Sequence, residues 1–181
     1  SRRKTTKMTS DSTAFEKKKE AVIDPCPVER VRSFLRSEGF PDEVMTSEET
    51  IFTVDDAARV VGAPSEQILK SLVLLVDGNP VLALMSGVNQ VDTKKVRILA
   101  EAKKVRMADP AFVFDWSGFQ VGGVPPVGYP ESVPAYLDED LFLFPVVWAA
   151  AGSDHAFFPV SPKDLKRLTG GMKCSIKRKR K

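Results

Sequence analysis

Leu72-Val-Leu-Leu-Val76, Asp77-Gly-Asn79 and Val81-Leu-Ala-Leu-Met85 decide the fold. Two apolar runs flank residues that tolerate positive φ, which predicts a β-hairpin with its turn at Asp77–Asn79. Neither run alternates apolar with polar, so the pair is expected to be buried on both faces.

Working outward, helices and short strands alternate irregularly. Pro27 opens a helix with Val28, Val31 and Leu35 on one face and Gly39 at its end. Val44–Thr46 reads as a short strand. Thr53 reads as an N-cap with Asp56 at N3, and Gly62 as the stop. Ser65 is expected to cap a short helix over Glu66–Leu69. After the hairpin, Asp92 caps a helix to about Lys103, and Asp109-Pro110 starts one that ends by Gly118. Tyr136–Leu137, Val146–Ala150 and Phe157–Val160 read as strands, Asp138 as the cap of one helical turn, and Ser161-Pro162 as the start of a closing helix ended by Gly170-Gly171. This pattern predicts an α+β class, a single domain with a mixed, largely antiparallel sheet and surrounding helices.

The chain has 181 residues, 43% hydrophobic and 28% charged, enough for one sizeable core and against disorder, collagen or coiled coil. Two cysteines exclude a disulfide scaffold, and with one histidine they argue against a zinc site, so no metal is expected. The longest nearly unbroken apolar run, 141–151, is too short to span a bilayer, and no secretory signal is visible, so a cytosolic or nuclear protein with reduced thiols is the default, with a cytoplasmic location and no membrane partner expected. Residues 1–19 carry seven Lys/Arg against two Asp/Glu, and 163–181 carry nine against one, so the body between is acidic, with a net charge of −10. The expected organisation is a basic, flexible leader at 1–24, a domain at 25–171 and a basic tail at 172–181. Its last residues, Lys177-Arg-Lys-Arg-Lys181, read as a disordered basic arm that is a phosphate contact, a nuclear address or a solvated linker.

No nucleophile elbow, P-loop, HExxH or dinucleotide fingerprint is present. Lys70 stands alone among cations between Arg59 and Lys94, beside a buried strand. It either faces a cleft and holds an anionic or carbonyl oxygen, or snorkels to solvent. Gly122-Gly-Val-Pro-Pro-Val-Gly128 either presents main-chain amides to a ligand carbonyl or forms a rigid corner. His155, after Gly152, is a ligand contact or an exposed loop residue. Lys94, Lys95, Lys103 and Lys104, with Arg97 and Arg106, form a basic stretch suited to RNA phosphates or to an ordinary solvated helix face.

In their order and spacing, Thr53-Val-Asp-Asp-Ala-Ala-Arg-Val-Val-Gly62, Ile68-Leu-Lys70-Ser-Leu-Val-Leu-Leu-Val76, Gly122-Gly-Val-Pro-Pro-Val-Gly128 and Ala150-Ala-Gly152, followed by Ser161-Pro-Lys-Asp-Leu165, resemble the YbaK/prolyl-tRNA synthetase-associated family of aminoacyl-tRNA editing domains. The resemblance runs from about Pro27 to Gly171. It implies a barrel-like sheet and hydrolysis of the ester of a mischarged tRNA, with Ala- or Cys-charged tRNA for proline as the expected substrate. It implies water as nucleophile, no metal or other cofactor, and possible help from the terminal ribose. It assigns catalysis to Lys70, Gly122 and Gly123, and substrate contacts to Pro126, Gly128, Gly152 and His155. The implied partners are the tRNA acceptor end and a prolyl-tRNA synthetase or a larger synthetase chain or complex. Pro125 departs from the family loop, which often carries Ser there. The alternative reading is a non-catalytic tRNA-binding or synthetase-interaction appendage.

Overall fold

The computed structural model describes residues 26–179, so the expectations for the leader and for the last two tail residues lie outside it. In chain order the elements are α1 (Pro27–Ser37), β1 (Met45–Thr46), α2 (Val54–Val61), β2 (Leu69–Val76), β3 (Asn79–Ser86), α3 (Thr93–Leu99), β4 (Val105–Met107), α4 (Pro110–Ser117), β5 (Ala135–Asp138), β6 (Val147–Ala150), β7 (Ala156–Val160), α5 (Pro162–Thr169) and β8 (Met172–Cys174). They form one α+β domain with a five-stranded mixed sheet, order β4-β2-β3-β5-β8, and a three-stranded antiparallel sheet, order β1-β7-β6. Among the described residues the sheets meet at a single parallel bridge, Ile68 to Trp148, and do not close into a barrel.

The hairpin β2–β3 is the spine. Its register pairs Val76 with Asn79, so the turn is the two residues Asp77 and Gly78, at φ 48° and 85°. Both have the positive φ of a type I′ turn, whose twist matches the strands. Asn79 therefore belongs to the strand rather than to the turn. The Asp77 carboxylate accepts from the main-chain N–H groups of Lys103 (3.0 Å) and Lys104 (2.8 Å), which brings β4 alongside β2.

Both hairpin faces are covered. Leu69, Val73, Leu82 and Leu84 pack into the main core with Val31, Leu35, Phe119 and Phe158. Leu74, Val81, Ala83 and Met85 face Val96 of α3 and Ile176. A third cluster joins α2 to Ile68 and Phe157.

Local signals account for most helix ends. Thr53 Oγ1 accepts from the Asp56 N–H at 3.0 Å, and Ser161 Oγ from Asp164 at 3.1 Å. Gly62 and Gly118 close their helices in the left-handed region. Three boundaries differ from expectation. Only a 3-10 turn forms at Ser65–Gln67, and Leu69 is already strand. Helix α3 ends at Leu99, not near Lys103.

The third difference is the C-terminus. The domain does not end at Gly171: β8 pairs in parallel with β5, and Ile176 is fully buried. Asp138, itself fully buried, accepts from the N–H groups of Ile176 (2.9 Å) and Lys177 (3.1 Å). The Lys177 ammonium pairs with Asp140 at 2.5 Å and Glu139 at 3.3 Å. A segment that reads as a solvated tail is thus stitched into the sheet through at least Lys177. Its alternation Met172, Cys174, Ile176 is short and diluted by lysines, which hides the strand.

Among the described residues, no helix is long and apolar enough to cross a membrane.

Candidate functional site

Lys70 and Gly122 line one cavity of about 390 Å³, within the roughly 300–1,000 Å³ typical of small-ligand sites. It opens where β2 and β6 diverge after their single bridge. Helix α2 and the segment before it form one side, and the 121–124 loop the other. The walls are apolar, with Leu69, Val73, Val113, Val124 and Phe157 among them.

Among the described residues, Lys70 is the only charged one in that wall. It sits on β2 opposite Met85, and burial lowers its pKa from the usual lysine value. No carboxylate contributes to that shift. A half-desolvated ammonium without a counter-ion is costly, and an anionic or carbonyl oxygen in the cavity would relieve the cost.

The glycine loop divides in two. Gly122, at φ +100°, is exposed and lines the cavity, and a Cβ there would meet only Asp154 Cβ at 3.7 Å. Its glycine is required by the backbone angle rather than by crowding. Residues 123–127 turn inward and are buried, which is the rigid-corner alternative.

Gly123 lies behind Gly122 and outside the cavity wall. Its N–H donates to the Gln120 carbonyl at 3.0 Å, and a Cβ would lie 2.7 Å from the Ser153 backbone. Its missing side chain is explained by packing against Ser153, and its amide is already engaged.

The four residues expected to touch substrate, Pro126, Gly128, Gly152 and His155, do not line this cavity. Pro126 and Gly128 line a separate cavity of about 320 Å³ with Phe34, Leu82 and Leu168, and the Gly128 carbonyl accepts from Arg30 at 3.0 Å. Gly152, at φ +93°, abuts the start of α1, where a Cβ would lie 2.6 Å from the Pro27 carbonyl oxygen. His155 ties down the segment before α2: its Nε2 lies 3.2 Å from Thr50 Oγ1 and its Nδ1 3.1 Å from the Ser47 carbonyl. His155 thus braces the segment that leads into one side of the cavity, and Gly152 packs against α1, which does not line it. Their spacing gave no sign of this, because the contacts are more than 100 residues apart in sequence.

Lys94, Lys103 and Lys104 are exposed, whereas Lys95 Nζ donates to the Lys177 carbonyl at 2.8 Å. Lys103 and Lys104 sit by the hairpin turn, seven residues along β2 from Lys70, or about 23 Å at roughly 3.3 Å per residue.

Sequence reasoning missed the cavity rim. Phe52 (84% exposed), Val121 (64%) and Met107 (46%) are large apolar side chains left in water, and all three line this cavity. Phe52 directly precedes the α2 cap, where it reads as a helix staple, so only the fold reveals it as rim.

Comparison with known proteins follows the same outline. Residues 48–168 match the family described as the aminoacyl-tRNA editing domain. An uncharacterized protein of Bacillus subtilis (strain 168), YwhH, is 32% identical over 129 residues, which is 71% of this chain and 82% of that one. The proline–tRNA ligase of Maridesulfovibrio salexigens is 29% identical over 68% of this chain, which spans only 20% of the ligase. Among solved structures, a proposed trans-editing enzyme for prolyl tRNA synthetase superposes with a TM-score of 0.81 at 39% identity, covering 86% of this chain and 99% of that one.

Proposed function

The chain belongs to the aminoacyl-tRNA editing domain family, and from that premise we propose that it hydrolyses the ester of mischarged tRNA for proline, with alanyl and cysteinyl esters as its substrates. The observation that carries this reading is the shared cavity of Lys70 and Gly122. The similarity to proline–tRNA ligases and to the proposed trans-editing enzyme supports the choice of tRNA.

In this reading the aminoacyl-adenosine end enters over the rim. Phe52 stacks on the terminal base, a contact that single-stranded nucleic-acid sites commonly use. The Lys70 ammonium holds an oxygen of the terminal nucleotide or of the ester. The Gly122 N–H points at the ester carbonyl and stabilises the oxyanion that forms there. Gly123, locked against Ser153, sets the direction of that amide.

Water adds to the carbonyl carbon and the bond to the ribose oxygen then breaks. That oxygen takes a proton, which releases a free amino acid and a tRNA with its hydroxyl restored. No Asp, Glu, His or Cys lines the cavity among the described residues. The vicinal ribose hydroxyl of the substrate is therefore the group assigned to relay the proton. Such a site complements a synthetase pocket, because one methylene discriminates by only about 1–3 kcal/mol.

The test is a panel of tRNA for proline charged with Ala, Cys, Ser, Thr or Pro, incubated with the protein. Hydrolysis of Ala or Cys esters well above the spontaneous rate, with Pro spared, is expected. Retained tRNA or synthetase binding with no ester hydrolysed would establish the appendage reading instead.

A further inference from the structure

The cavity exists because two strands begin to pair and then stop. The isolated bridge from Ile68, just before β2, to Trp148 of β6 is the only β-bridge between the two sheets among the described residues. Beyond it, main-chain groups on both strand edges face the gap. On β2, Val73 accepts from Ala108 on the side away from β3 (3.0 Å), and alternation along a strand puts the N–H and C=O of Ser71 on that same edge. On β6, the Ala151 N–H donates to Ala156 of β7 at 2.8 Å, so the main chain of Ala150 faces the opposite way, toward β2. Ser71 and Ala150 both line the cavity, and neither edge is paired by a ladder at that point.

A second observation marks the same place. The Ser71 hydroxyl is buried and has no hydrogen-bond partner. Unpaired polar groups in an apolar wall are costly, and a ligand that satisfies them gains accordingly.

We propose that this splayed edge binds the free α-ammonium of the aminoacyl group, through the carbonyl oxygens of Ser71 and Ala150. The inference rests on the editing reading above and adds a substrate class to it: esters of amino acids with a free α-amino group, as opposed to N-blocked or peptidyl esters. The chemistry fits what the walls offer. Every aminoacyl ester shares the ammonium whatever its side chain, so main-chain acceptors are suited to read it. Among the described residues Lys70 is the only charged wall group and would repel an ammonium close by, which favours the strand carbonyls as its partners and sends the acyl oxygen toward Lys70 and Gly122.

The experiment compares three ligands in two assays. Alanyl-, lactyl- and N-acetyl-alanyl-tRNA are hydrolysed by the intact protein, each rate divided by its spontaneous rate. In parallel, calorimetry measures binding of 3′-amino-3′-deoxyadenosine carrying alanine in amide linkage, with and without N-acetylation. Lactyl replaces the ammonium by a hydroxyl of nearly the same size, so it separates charge from bulk. Loss of a charge-assisted contact predicts about a 10- to 100-fold drop for both altered esters and for the acetylated amide.

Equal normalised rates for all three esters would overturn the inference and leave the editing reading intact. Amine-dependent binding of the amide with no ester hydrolysed would overturn the editing reading and leave the ammonium site. Absence of both binding and hydrolysis would overturn both.

Discussion

Asp138→Ala is expected to destabilise the whole domain, and the size of the effect follows from the structure. The fully buried carboxylate accepts three main-chain N–H groups, from Asp140 (3.2 Å), Ile176 (2.9 Å) and Lys177 (3.1 Å). Two of these belong to the C-terminal segment that carries β8 and the buried Ile176. Each buried amide left unpaired costs about 1–3 kcal/mol, and the relief of removing a buried charge offsets part of it, so we expect a net loss of about 3 kcal/mol. For a chain of this size that lowers Tm by roughly 6–12 °C, at about 2–4 °C per kcal/mol. Thermal unfolding followed by circular dichroism measures this, with urea titration as a check on the slope. Truncation after Gly171 should be at least as damaging, because it removes β8 and Ile176 together. Ester hydrolysis measured well below the midpoint should persist in Asp138→Ala, since Asp138 does not line the cavity. A Tm within about 2 °C of wild type in both variants would refute the integration of this segment into the fold.

Burial holds the pKa of Lys70 below that of the unfolded chain. The unfolded state therefore binds more protons between the two values, and stability rises with pH across that window. Lys70→Met should abolish that rise and leave the urea midpoint at pH 7 no lower than wild type; a clear drop would show that the ammonium stabilises the fold. The Cys174 thiol is pushed up to about 11 by burial, with the Asp138 and Glu139 charges adding to it. At pH 8 only about one thiol in a thousand is then ionised, so iodoacetamide should modify exposed Cys26 and spare Cys174, as read by peptide mass spectrometry. Equal labelling would place Cys174 outside the sheet. Gly123→Ala forces a Cβ against the Ser153 backbone and should cost about 1–3 kcal/mol in urea unfolding, with hydrolysis impaired through displacement of Gly122. Unchanged stability would mean that the two loops are less tightly packed than described.

How far the sequence could be read depends on where each signal lies. The hairpin was legible because its apolar runs and its turn are local, and the caps Thr53 and Ser161 because a hydroxyl and an N–H three residues on suffice. β4 and β8 were not, since Val105-Arg-Met107 and Met172-Lys-Cys174 are three-residue strands carrying cations, and each is recruited by an aspartate far away in sequence, Asp77 and Asp138 respectively. Within the site, Lys70 and Gly122 could be proposed from residue type alone. The rim residue Phe52 and the edge without a ladder at Ser71 and Ala150 could not, because exposure and interrupted pairing are properties of two sheets meeting at Ile68 and Trp148. The contacts of Gly152 with Pro27 and of His155 with Ser47 and Thr50 were equally invisible, because they join residues more than 100 positions apart.

Lys70 and Gly122 line one cavity, and the editing reading requires both to act on the same bound ester. Single-turnover hydrolysis of alanyl-tRNA for proline by Lys70→Ala, with tRNA affinity measured on the same preparation, tests it most directly. The expected result is a rate about 10²–10³-fold below wild type, the usual cost of removing one oxygen-stabilising group, with tRNA bound within about threefold of normal. A Lys70→Ala rate within threefold of wild type would contradict it.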